Sequence, residues 1–163
     1  MYAGRKTMLV SFLIATAVIL VGSPLVLSHC EIPCGIYDDH TRIAMIAEHI
    51  TTIEKSMNQI AQLSAEKDKN YNQLVRWIIN KENHADQLSD VVTQYFMKQR
   101  ITPVEKGQKE AYESYVQKIT LLHAMMVHAM KCKQTTDIEH VSRLRTCLAD
   151  FETAYLGADH ERM

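Results

Sequence analysis

Ile43-Ala44-Met45-Ile46-Ala47-Glu48-His49-Ile50-Thr51-Thr52-Ile53-Glu54-Lys55-Ser56-Met57-Asn58-Gln59-Ile60 decides the fold of this chain. Its apolar anchors Ile43, Ile46, Ile50, Ile53, Met57 and Ile60 are separated by alternating steps of three and four residues. That spacing is a heptad seam, which lines one side of an α-helix and needs other helices to cover it. Leu63 arrives one residue early for the register but stays on the same face.

The rest of the body follows this lead. Beyond Tyr37 the chain has only Gly107, Gly157 and Pro103 as turn formers, too few for a β fold. Asp38 or Asp39 is placed to cap the first helix. Glu66-Lys67-Asp68-Lys69-Asn70 makes a polar connection to a second helix with Leu74, Ile78, Leu88, Val91, Val92 and Tyr95 on its apolar side. A third helix is expected from Pro103, capped by Thr102, with proline at the first helical position. Its inner face carries Tyr112, Tyr115, Ile119, Leu122, Met126 and Ala129. After Lys133-Gln134-Thr135-Thr136, a cap at Thr136 or Asp137 opens a last helix lined by Ile138, Val141, Leu144, Leu148, Phe151 and Tyr155. Four helices with short links predict an all-α, antiparallel four-helix bundle over residues 39–163.

Upstream of the bundle lies an apolar leader. Arg5 and Lys6 precede an uncharged run from Met8 to Val21, Gly22-Ser23-Pro24 breaks it, and Val26-Leu27-Ser28 offers a cleavage site. This is the layout of a secretory signal peptide over residues 1–28, which implies an exported, periplasmic or extracellular protein. Two other readings stay open. Met8 to Leu27 is just long enough to span a bilayer if the leader is retained. Leu27 before Cys30 suggests a lipoprotein signal, although His29 stands where such signals want a small residue. Removing the leader takes away two basic groups and moves the net charge from −1 to −3. That balance, with no Lys/Arg stripe, gives no footprint for nucleic acid.

Between leader and bundle stands His29-Cys30-Glu31-Ile32-Pro33-Cys34-Gly35-Ile36-Tyr37-Asp38. Cleavage after Ser28 would gather an α-amine, an imidazole, a backbone nitrogen and two thiols within six residues. A closed zinc site needs four protein ligands, and no second Cys or His pair has finger spacing. Haem attachment needs C-x-x-C-H, which is absent. A di-iron bundle site needs Glu-x-x-His on two helices, and neither Glu48-His49 nor Glu139-His140 has that spacing. Amine, amide nitrogen and the Cys30 sulfur instead form consecutive chelate rings, and Cys34 can return to close an N2S2 plane. Such a plane suits Ni(II) or Cu(II); thiolates tend to reduce Cu(II), which favours nickel.

This segment resembles the hook of the nickel-containing superoxide dismutases, small four-helix bundles. The resemblance rests on His29-Cys30-x-x-Pro33-Cys34-Gly35-x-Tyr37-Asp38. It implies dismutation of superoxide to dioxygen and hydrogen peroxide at one nickel ion per subunit, cycling between Ni(II) and Ni(III). It implies His29 as ligand through its amine and, in the oxidised state, its imidazole. Cys30 would bind through nitrogen and sulfur, and Cys34 through sulfur. It also implies that Tyr37 guards the open face, that Tyr95 is a second tyrosine near the channel, that Pro33 fixes the return turn, and that the protein is a homohexamer. One departure stands out: the stretch from Tyr37 to Arg42 is a residue shorter than in the family. The carboxylate that steadies the axial imidazole there would fall near Ala44 and Met45, so Glu82 and His84 are substitute candidates.

Blander readings accompany these. Tyr37 and Tyr95 also suit half-buried bundle positions, and Met125, Met126 and Met130 suit core filling. His123, His128 and His140 read as ordinary surface or core histidines. Cys132 and Cys147 read as buried free thiols, because their depths from the last turn match poorly for a disulfide. The residues alone also admit a metal-binding or thiol redox-sensing protein without turnover, or a membrane-anchored interaction module.

Overall fold

The computed structural model describes residues 37–157; the leader and residues 29–36 of the hook, with His29, Cys30 and Cys34, lie outside the described residues. Four helices follow one another: α1 (Asp39–Ala65), α2 (Tyr71–Asp90), α3 (Lys109–Gln134) and α4 (Glu139–Leu156), with no strand among the described residues. A π-helical segment, Val91–Arg100, continues α2. Residues 39–156 therefore form an all-α helical bundle.

The direction of each helix is readable from its bonds. The start of α1 meets the end of the π segment through Asp39 and Arg100, and the end of α4 through Tyr155. Lys81 of α2 meets the end of α3 at Lys133, and Arg145 of α4 meets Glu54 of α1. Sequential helices thus run antiparallel.

Every member of the predicted seam from Ile43 to Ile60 is buried. Ile43, Ile46, Ile50, Ile53 and Met57 pack with Leu88, Val92, Phe96, Leu122, Met125, Leu144 and Phe151 in one core. Each such fully buried side chain contributes about 1.5–3 kcal/mol relative to exposure. Phe96 sets the aromatic end of the core, with its ring edge-on to Tyr95, Phe151 and Tyr155 at 5.1, 5.0 and 5.5 Å.

Local chemistry explains the helix starts. Asp38 caps α1: its carboxylate accepts from the Thr41 N–H at 2.9 Å and the Thr41 hydroxyl at 2.8 Å. Asn70 caps α2 by accepting from the Gln73 N–H. Asp137 accepts from the Glu139 N–H at the head of α4.

Three expectations are corrected. The third helix begins at Lys109, not Pro103. A helix from Pro103 would place Gly107 in its second turn, where glycine's backbone entropy is costly. The chain instead turns there, with the Gln108 N–H bonded to the Glu105 carbonyl. Ile138 is 42% exposed rather than inward, since it precedes the first turn of α4 and sits outside the packed face. In the first half of α2, Leu74 is only half-buried and Ile78 is exposed, so the buried face of α2 begins at Lys81. Cys132 and Cys147 are free thiols.

Candidate metal centre and its surroundings

Tyr37 opens the described residues and is about half exposed. Asp38 follows with its side chain committed to the cap. One cap needs one carboxylate, which leaves Asp39 for another task. Its side chain turns into the bundle, where its oxygens accept from the Tyr95 hydroxyl at 2.6 Å and the Tyr155 hydroxyl at 2.9 Å. They also accept from Arg100 Nε at 2.9 Å and Nη2 at 2.6 Å. Burial alone would raise the Asp39 pKa. The bonds from Arg100, Tyr95 and Tyr155, with the guanidinium charge, outweigh it and hold the carboxyl below its ordinary range.

Tyr95 is nearly fully buried, at 3% exposure. Its ring lies edge-on to Phe96 and beneath the Arg42 guanidinium, 5.1 Å from the ring centre. Its hydroxyl also accepts from the backbone N–H of Asp38 at 3.0 Å. Burial, then the bond to Asp39 and its charge, push the phenol pKa up to about 12, so it keeps its proton at any working pH. The sequence offered Asp39 only as an alternative cap and Tyr155 only as a lining residue of the last helix, and gave neither them nor Arg100 a place in a site. The available signal was the tandem Asp38-Asp39, of which only one can cap.

His84, a candidate for supporting the axial imidazole, pairs with His49 of α1 at 2.9 Å between their Nδ1 atoms. One ring must be protonated at Nδ1 and the other bare. Glu82 is half-buried. His128 and His140 make a second pair, at 3.3 Å. Each pair offers a metal only two protein donors, and among the described residues no group of three or more His, Cys, Asp or Glu could hold a metal ion.

Burial first, then the His84 charge, lowers the His49 pKa below its ordinary 6.5. As pH falls, the unfolded chain takes its proton before the folded one does. The stabilisation is complete above 6.5 and is lost as pH falls through the folded value. Urea unfolding at pH 7.5 and pH 5 should therefore give a lower midpoint at pH 5, with a smaller difference in His49→Gln. An equal difference in both proteins would refute this assignment.

The remaining polar groups of the interior have structural tasks. Lys81, buried at 4% exposure, donates to the carbonyls of Lys133 and Thr135 at 2.7 and 3.3 Å. Its charge thus complements the exposed carbonyls at the end of α3. Burial pushes the Cys132 thiol up to about 11 and raises the Cys147 thiol as well. Thiols held in that state are poor nucleophiles and poor metal ligands.

The description of nickel-containing superoxide dismutase matches this chain over residues 24–158, a span that includes the hook and nearly all of the bundle. The chain belongs to that family. No curated protein and no solved structure matches it. As a nickel-containing superoxide dismutase, it is an oxidoreductase that converts superoxide to dioxygen and hydrogen peroxide and uses nickel as cofactor. The readings without turnover have no observation in their favour. Among the described residues no helix is long and apolar enough to cross a membrane.

Proposed function

We propose that the nickel of this dismutase is held by the α-amine and imidazole of His29, the backbone nitrogen and thiolate of Cys30, and the thiolate of Cys34. What carries this reading is the position of these donors. They lie within the family-matched span, immediately ahead of a bundle whose described residues offer no metal-holding group of their own.

The donor set fits the ion. Two nitrogens and two thiolates in a plane suit Ni(II). Bound there, nickel supplies the one-electron redox couple of the reaction, made reachable by electron-rich thiolate and amidate donors. The amine and thiols must shed protons to bind, so nickel affinity rises with pH. Tyr37, three residues after Cys34, is the side chain that screens the open face of the plane and orients small ligands. Tyr95 is the second tyrosine of this reading, with its hydroxyl bonded to the Asp38 amide.

Three further features complete the proposal. Residues 1–28 form a leader removed on export; the match beginning at residue 24 leaves the apolar run before it outside the family's body. The protein acts outside the cytoplasm. It assembles as a homohexamer, and the exposed stripe of Tyr71, Val75 and Ile79 on α2 is apolar surface that self-association would cover.

His29→Gln separates binding from turnover. The variant keeps the amine, the Cys30 nitrogen and both thiolates, so nickel content should stay near normal. It loses the imidazole, which serves mainly the oxidised ion. Dismutation should fall by about 10-fold or more, in the range seen when metal-supporting groups are removed. Any resting Ni(III) resonance should vanish as well. Unchanged activity with an intact Ni(III) spectrum would refute a role for the His29 imidazole in holding the oxidised ion.

A further inference from the structure

The tandem acids at the head of α1 divide their labour. Asp38 caps the helix at the Thr41 amide, while Asp39 turns inward and gathers donors from two other parts of the chain: Tyr95 and Arg100 from the π segment, and Tyr155 from α4. An acid in the first turn gains from the helix dipole even on the surface, so the dipole does not explain why Asp39 is drawn half-buried into the bundle. Its side chain is only 17% exposed.

The π segment supplies a reason for its own existence here. Tyr95 and Arg100 are five residues apart. On an α-helix, five positions leave two side chains about 140° apart around the axis. The i→i+5 pattern of a π-helix brings them to one side, where both reach the same carboxylate. The segment closes on a bond of that type, from the Ile101 N–H to the Phe96 carbonyl at 2.9 Å.

The wiring of the Tyr95 hydroxyl is directional. A phenol has one proton to donate, and Asp39 takes it at 2.6 Å. The oxygen is then an acceptor toward the Asp38 N–H at 3.0 Å. We propose that Asp39 is a positioning residue of the dismutase: by gathering Tyr95, Arg100 and Tyr155 it fixes the Tyr95 hydroxyl against the backbone of Asp38, where the metal-binding segment joins the bundle. This rests on the hook reading above. Tyr37 and Cys34 are one and four residues from that fixed amide, so the brace sets where the hook leaves the bundle. The raised phenol pKa accords with it, since the hydroxyl keeps the proton that the wiring requires.

A double-mutant cycle on the nickel-loaded protein tests the proposal. Asp39→Asn should keep its nickel and its helicity, lose about 10-fold in dismutation, and exchange the Asp38 amide hydrogen faster. The expected loss is moderate beside the roughly 100-fold that a displacement of ~1 Å at a reacting centre costs. Tyr95→Phe should lose a similar amount, and the double variant should be no slower than the slower single one, because both act through one contact. Wild-type activity and amide exchange in Asp39→Asn would overturn the proposal, as would losses that multiply in the double variant. Should Asp39→Asn fail to fold, Tyr155→Phe removes one donor and leaves the carboxylate. A loss that disappears in the Tyr95→Phe background supports the brace, and any other result overturns it. Cys30→Ser serves as the control for the hook. If it kept its nickel, the hook reading would fall, while the cycle between positions 39 and 95 would still decide the role of Asp39.

Discussion

Cys30→Ser and Cys34→Ser are each expected to lose nickel and dismutation while the helical bundle stays folded. A cysteine thiol ionises near pH 8.5 and is lowered further by a metal, whereas a serine hydroxyl stays protonated and is a hard, weak donor to a late transition metal. One substitution therefore removes a quarter of the proposed plane and much of the electron density that makes Ni(III) accessible. Activity should drop to the uncatalysed background. The fold should not follow it, because the buried seam that organises the bundle begins at Ile43, past both cysteines in the chain. Helical circular dichroism and the urea midpoint should match the parent within about 0.5 kcal/mol, the range of substitutions that leave the bundle core untouched. Nickel retained in one-to-one ratio with an unchanged thiolate-to-metal absorption would show that the ligand set is wrong.

The second large effect comes from the N terminus itself. A free α-amine has a pKa of about 7.7–8.0, so near neutral pH a metal displaces its proton at little cost. One alanine placed before His29 turns that nitrogen into a peptide nitrogen, whose lone pair is delocalised into the carbonyl and whose proton is held far more tightly. It also changes the ring sequence, because the new amine lies one residue farther from Cys30. The extended chain should fold into the same bundle and show no dismutase activity. The proposed removal of residues 1–28 would thus be a step of activation as well as of export.

The helical body was legible in the sequence because its determinants are local. The run from Ile43 to Ile60 repeats at three and four, and all six anchors are buried. The polar link at 66–70 and the cap at Asp38 were equally readable, since a cap is a bond between a side chain and an amide two or three residues away. The start of the third helix was misplaced because Pro103 is a good first helical residue, yet the turn at Glu105–Gln108 competes with it. The π segment left no periodic trace. It depends on where Tyr95 and Arg100 must meet Asp39, at separations of 56 and 61 residues. The proposed metal-binding segment carries its candidate donors within six residues, so that proposal rests on their order in the sequence alone. The network behind Tyr95 is tertiary, and Asp38 and Asp39 became distinguishable only once one capped and the other turned inward.

The most direct measurement of the central claim is nickel per chain, by elemental analysis after nickel loading. It compares the protein that begins at His29 with the same protein carrying one alanine before it. The account predicts one nickel with dismutase activity in the first. In the second it predicts loss of activity, with nickel absent or bound without the planar amine-and-thiolate spectrum. Equal nickel and full activity in both proteins would contradict it.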